Sequence, residues 1–116
     1  MGQPIVHFEI MGKDATRLHK FYADLFSWNV GEAMPDMGMY AMVDAESSSL
    51  AGGIGQEPSG AARTTIYVQV PDLQATLDKA AAMGGKVVMP PTDIPGVVSL
   101  AQFSDPDGNV IGLVKG

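Results

Sequence analysis

A strand of alternating character followed by a one-sided helix occurs twice in this chain. That repeat restricts the fold more than any other feature. Over Ile5–Ile10, Val6, Phe8 and Ile10 alternate with His7 and Glu9. A period of two puts the apolar side chains on one face of a strand and the ionisable pair on the other. Asp14 follows as a helix N-cap. Leu18, Phe21, Tyr22, Leu25 and Phe26 then keep the i, i+3, i+4, i+7, i+8 spacing of a helix with one apolar stripe. The stripe is expected to pack into the core, with His19 and Lys20 solvated and His19 no site residue. The pattern starts again where Thr64, Ile66, Val68 and Val70 alternate with Thr65, Tyr67 and Gln69. Asp72 opens a second helix carrying Leu73, Leu77, Ala80 and Ala81, which ends at Gly84 and Gly85. The two capping aspartates lie 72 − 14 = 58 residues apart, half of the 116-residue chain. That offset sets His7 over Thr65, Phe8 over Ile66 and Glu9 over Tyr67.

The remaining strands fall in matching order. Trp28–Val30, Gly38–Val43 and Leu50–Gly55 read as strands, with a polar loop at 44–49 and a linker at 57–62. In the second half, strands are expected at 86–89, 97–104 and 109–114, the last two joined by the turn Asp105-Pro106-Asp107-Gly108. Each half is therefore strand, helix and three strands. The expected class is α+β: two βαβββ modules, about 1–57 and about 63–116, in a single domain over 1–116. The modules are expected to join in one curved mixed sheet around a concave pocket, lined by the polar sets of residues.

Composition narrows the function classes. An apolar content of 46% is enough for a core without disulfides, and the absence of cysteine excludes thiolate catalysis and cysteine-bound zinc. A net charge of −6 with seven basic residues spread along the chain gives no footprint for nucleic acid. No apolar run approaches the roughly 20 residues of a membrane span. The opening Met-Gly-Gln-Pro has neither basic nor apolar signal-peptide character, so a cytoplasmic location is expected.

His7-Phe8-Glu9-Ile10-Met11-Gly12-Lys13-Asp14, with Leu18-His19-Lys20-Phe21-Tyr22 and Leu25-Phe26-Ser27-Trp28, resembles the first module of the vicinal oxygen chelate superfamily. That group includes glyoxalase I, extradiol dioxygenases, fosfomycin-resistance enzymes and bleomycin-resistance proteins. Tyr67-Val68-Gln69-Val70-Pro71-Asp72-Leu73 and Phe103-Ser104-Asp105-Pro106-Asp107-Gly108-Asn109 resemble the second module. The resemblance covers essentially the whole chain and speaks to fold more than to chemistry.

In metal-dependent members, the resemblance implies, ligands come from four inward strand positions. His7 matches the first. Thr65 stands where the pattern has His, and Gly112 where it has Glu, while the fourth strand offers only Gly53 and Gly55. One donor of four survives, so no cofactor is expected, and a divalent metal only through a rearranged site that recruits Glu9.

His7 and Glu9 lie roughly 7 Å apart along one strand face. Such a pair serves either as base and tautomer-setting carboxylate or as a pocket-lining histidine with a solvated glutamate at the mouth. Thr65, Tyr67 and Gln69 offer hydroxyl and amide groups to a ligand, or are the wetted face of a sheet. Gly53 and Gly112, with Gly52 and Gly55, are expected to leave space for a ligand. Met34, Met37, Met39 and Met42 suit an adaptable apolar surface, core filling or a dimer interface equally.

The first functional reading is a protein that binds or sequesters a small, partly apolar ligand. The alternatives are a glyoxalase-like lyase, isomerase or dioxygenase, with an altered metal site or metal-free acid/base chemistry by His7 and Glu9, and a module that receives a partner protein. Small members of the superfamily pair commonly, so the resemblance implies a homodimer. Sedimentation at micromolar concentration is expected to show twice the 12.2 kDa chain mass, and a single-chain species alone would refute it.

Overall fold

The computed structural model describes residues 2–116. The elements are β1 (Ile5–Gly12), α1 (Ala15–Phe26), β2 (Ala41–Val43), α2 (Ala45–Ser48), β3 (Gly52–Gln56), β4 (Arg63–Val70), α3 (Leu73–Ala82), β5 (Lys86–Ile94), β6 (Val98–Ser104) and β7 (Val110–Lys115). They fall into two compact units. One spans His7–Thr64, and the other Thr65–Gly116 together with the residues up to Val6.

In the 7–64 unit the strand order is β2-β3-β1, with β1 parallel to β3 and β2 antiparallel to it. A parallel pair needs a crossover, and α1 supplies it. Asp14 caps that helix as expected, its carboxylate accepting from the Arg17 N–H at 3.2 Å. In the other unit the order is β4-β7-β6-β5, with β4 parallel to β7 and the remaining neighbours antiparallel. Asp72 caps α3 in the same manner, from the Ala75 N–H at 2.9 Å. The expected repeat is visible in the register. Glu9 pairs with Gly53, and Tyr67, its equivalent, pairs with Gly112.

Several expectations are corrected. The strand expected at Trp28–Val30 reduces to one bridge, Val30 to Val43, and the following strand holds ladder geometry only over Ala41–Val43. The polar loop at 44–49 contains a one-turn helix, because Asp44 caps it through the Ser47 N–H at 2.9 Å. β5 runs on to Ile94 through Pro90 and Pro91. It is an edge strand of its unit, broken by two register shifts, and an edge tolerates residues that lack a ladder donor.

The α1 stripe is the largest correction. Only Ala15 of that helix is buried, and Phe21, Leu25 and Phe26 are each more than half exposed. The helix is rotated so that His19 faces the sheet, where its Nε2 donates to the Ile54 carbonyl at 2.8 Å. That bond offsets the cost of placing an imidazole where an apolar residue is expected. Tyr22, Phe26 and Trp28 still cluster with Phe8, with ring centroids 5.1–6.2 Å apart.

The 65–116 unit packs Val70, Leu73, Leu77, Ala101 and Leu113 into a core flanked by Val68 and Phe103. Leu77 is essentially inaccessible. Leu77→Ala is expected to destabilise the protein by about 2–5 kcal/mol through lost transfer energy and a residual cavity. Urea unfolding checks this, and a change below about 1 kcal/mol would show that the site collapses around the truncation.

Candidate functional site

Glu9 is the most buried residue on the polar face of β1, with only 8% of its surface exposed. It is not a solvated glutamate at a pocket mouth. Its two carboxylate oxygens are taken by different groups of the 7–64 unit. Arg63 Nη1 lies 2.9 Å from Oε1, and the Tyr40 hydroxyl donates to Oε2 at 3.0 Å. Arg63 turns its Nε to Glu57 Oε2 at 2.8 Å, and His7 Nε2 meets the Tyr40 hydroxyl oxygen at 2.8 Å. The result is a continuous polar chain: Glu57, Arg63, Glu9, Tyr40, His7.

Local backbone delivers Tyr40 to this place. A single turn at Pro35–Met37 is followed by two left-handed residues, Gly38 at φ 66° and Met39 at φ 54°. The Met34 N–H bonds the Tyr40 carbonyl at 2.9 Å, and the Gln56 N–H bonds the Gly38 carbonyl at 2.8 Å. Left-handed backbone at a residue such as methionine costs about 1–2 kcal/mol. The Tyr40 ring lies on Gly53 and Gly55. A Cβ at Gly53 would collide with the ring, and one at Gly55 would come within 2.7 Å of it.

The glycine-rich face is therefore not open, as expected from sequence, but filled by an aromatic ring. The same holds in the 65–116 unit. There the Tyr67 ring covers its register partner Gly112, and Gln102 Nε2 donates to the Tyr67 hydroxyl at 3.0 Å. Thr65 and Tyr67 are buried at 2% and 4% exposure, whereas Ile66 between them is 37% exposed. The polar face of β4 is thus the covered one. Gln69 packs its side chain against Gly116 and donates its backbone N–H to the Pro4 carbonyl at 2.9 Å.

The structure brings His7, Glu9 and Gly53 together around Tyr40, and Tyr67 and Gly112 together with Gln102. Tyr40, Arg63, Glu57 and Gln102 were not among the expected site residues. The parity was readable for two of them. Arg63 shares the period-two face of Thr65, Tyr67 and Gln69, and Tyr40 alternates with buried Ala41 and Val43.

Electrostatics follow from these contacts. Burial pushes the His7 pKa below its ordinary value, and the nearby Glu9 charge only partly opposes this. Burial also works against the Arg63 charge, but hydrogen bonds and charges from Glu57 and Glu9 outweigh it and raise that pKa. The hydrogen bond from Arg63 holds the Glu57 carboxyl below the usual range.

A model of the Glyoxalase/Bleomycin resistance protein/Dioxygenase superfamily matches residues 4–113. The chain belongs to that superfamily. CFP32 of Mycobacterium tuberculosis, described provisionally as a glyoxylase, is 30% identical over 112 residues, covering 90% of this chain and 42% of the relative. The anthracycline biosynthesis protein DnrV of Streptomyces peucetius is 26% identical over 117 residues, covering 87% of this chain and 42% of the relative. This superfamily member thus spans under half the length of the curated relatives it matches. Among solved structures, methylmalonyl-CoA epimerase from Mycobacterium tuberculosis aligns with a TM-score of 0.70 at 16% identity, covering 96% of this chain and 86% of that one. The Mn(II)-bound glyoxalase from Novosphingobium aromaticivorans aligns at 0.68 and 20% identity, covering 97% and 38%. These likenesses establish the fold.

The superfamily's glyoxalase branch makes a divalent metal the cofactor to test against these residues. They do not fit one as arranged. Among the described residues no three His, Cys, Asp or Glu side chains are grouped to hold an ion. His7 Nε2 and Glu9 Oε2 are both bonded to the Tyr40 hydroxyl, and Glu9 Oε1 to Arg63. The spaces over Gly53 and Gly112 hold tyrosine rings.

The lowered His7 pKa has a consequence for stability. The unfolded chain takes up the His7 proton near 6.5 while the folded chain resists it, so stability is full above that pH and falls below it. Between about pH 7.5 and about pH 5.5 the wild type is expected to lose more urea stability than His7→Gln. Equal losses would show that His7 titrates as it does in the unfolded chain.

Proposed function

We propose that this chain is a small-molecule-binding domain of the superfamily that takes a neutral or cationic, partly apolar ligand at the His7–Tyr40–Glu9 cluster without a divalent metal. The observation that carries this is the position of Tyr40. Its ring lies on Gly53 and Gly55, and its hydroxyl stands between His7 and Glu9. A protein oxygen thus occupies the point where the only His and Glu of the strand converge. Charge supports the ligand class. In this cluster the carboxylates of Glu9 and Glu57 face the single guanidinium of Arg63, so no unbalanced cation attracts an anionic ligand. The link of one relative to anthracycline biosynthesis agrees with a polycyclic, partly apolar ligand.

A second reading is metal-free acid/base catalysis. The observation that favours it is a half-buried imidazole with a lowered pKa, bonded to a tyrosine hydroxyl. Kinship in fold with an epimerase is compatible with it.

One experiment separates the readings. Protein purified without tag or chelator is assayed for bound metal by elemental mass spectrometry. It is then melted with an anthracycline, with bleomycin and with the hemithioacetal of methylglyoxal and glutathione. The expected outcome is substoichiometric metal and a saturable rise in melting temperature, roughly 10 °C at about 100 times Kd, lost in His7→Ala, with the probe unchanged. One divalent ion per chain would overturn the metal-free site. Turnover of a probe that disappears in His7→Ala would transfer the assignment to catalysis.

A further inference from the structure

The polar chain does more than satisfy a buried carboxylate. We infer that Arg63 and Tyr40 are positioning residues that hold His7 as its Nε2–H tautomer, so that Nδ1 is the nitrogen with the lone pair. The assignment follows from donor counting. Arg63 carries donors only and stays charged at any accessible pH. The carboxylate ion-paired to it at 2.9 Å is therefore an acceptor on both oxygens. Tyr40 has a single hydroxyl proton, and it goes to Glu9 Oε2 at 3.0 Å. What the Tyr40 oxygen then offers to His7 Nε2 at 2.8 Å is a lone pair. A hydrogen bond across that distance needs the proton on Nε2. A neutral imidazole carries one N–H, so Nδ1 becomes the basic nitrogen.

Burial keeps the ring neutral near pH 7, the condition under which a tautomer is defined. The device also explains why Arg63 has two acidic partners. Glu57 fixes the guanidinium from its Nε side, leaving Nη1 aimed at Glu9. The chemical consequence concerns what His7 recognises. In the neutral ring, any hydrogen bond made through Nδ1 is one that His7 accepts, so its partner there presents an O–H, an N–H or an acidic proton. This holds whether the site binds or catalyses, and it stands apart from the functional reading above.

The test is nitrogen NMR on the uniformly ¹⁵N-labelled full chain near pH 7.5, reading both ring nitrogens through their couplings to ring carbon protons. The spectrum of His7→Gln separates His7 from His19. The expected wild-type result is one neutral tautomer with its proton on Nε2. Tyr40→Phe keeps the ring over Gly53 and Gly55 but removes the hydroxyl, and it is expected to lose that preference, giving averaged nitrogen shifts. Arg63→Lys is expected to retain the wild-type tautomer and Arg63→Met to weaken it, a difference that mere packing would not produce. A proton on Nδ1 in the wild type overturns the inference, and so does an unchanged pure tautomer in a folded Tyr40→Phe. Should Tyr40→Phe not fold, the wild-type spectrum still decides.

Discussion

Placing a carboxylate at position 9, in the middle of a strand and nearly out of water, is the constraint around which the 7–64 unit is arranged. An isolated buried charge is far too costly to persist, so each oxygen of Glu9 must be met by a donor. Arg63 meets one, from a point 54 residues further along, and is itself steadied by Glu57. Tyr40 meets the other, and reaching it requires left-handed backbone at Gly38 and Met39. Local strain at Met39 is sustained because the hydroxyl it delivers bonds the buried Glu9 and the half-buried His7 at once.

Glycines complete this arrangement by being small. Gly53 is the register partner of Glu9, and Gly112 is the partner of Tyr67. At both places an aromatic ring lies flat on the strand where a Cβ would stand. The two units thus solve one packing problem in related ways. In one the ring comes from the paired residue itself, and in the other from Tyr40 outside the pair, because the paired position is held by Glu9. Close approach of a ring to backbone, rather than turn geometry, is why these strand positions lack side chains.

Much of the fold was legible from the sequence because it rests on local signals. Period-two strands, capping aspartates at 14 and 72 and the Asp105–Gly108 turn are all encoded within a few residues of where they act. The repeat extends to the strand pairs, although the partner glycines lie 112 − 53 = 59 residues apart, one more than the 58 that separate Glu9 and Tyr67. What escaped depends on contacts distant in sequence. The α1 stripe reads as core by spacing alone, yet Phe21, Leu25 and Phe26 are more than half exposed while His19 bonds the Ile54 carbonyl. The glycines read as empty space, since nothing within β3 or β7 tells that a tyrosine ring fills it. Half of the candidate site was read in advance, as His7 and Glu9. Its other half, Tyr40 and Arg63, was marked only by parity, a signal that cannot name a partner 31 or 54 residues away.

Gly53 also says something about how such a domain can change over generations. A carboxylate or imidazole introduced there would bring a metal donor toward His7 and Glu9, and its Cβ would at the same time evict the Tyr40 ring. The Tyr40 ring and a side chain at position 53 therefore compete for the same space.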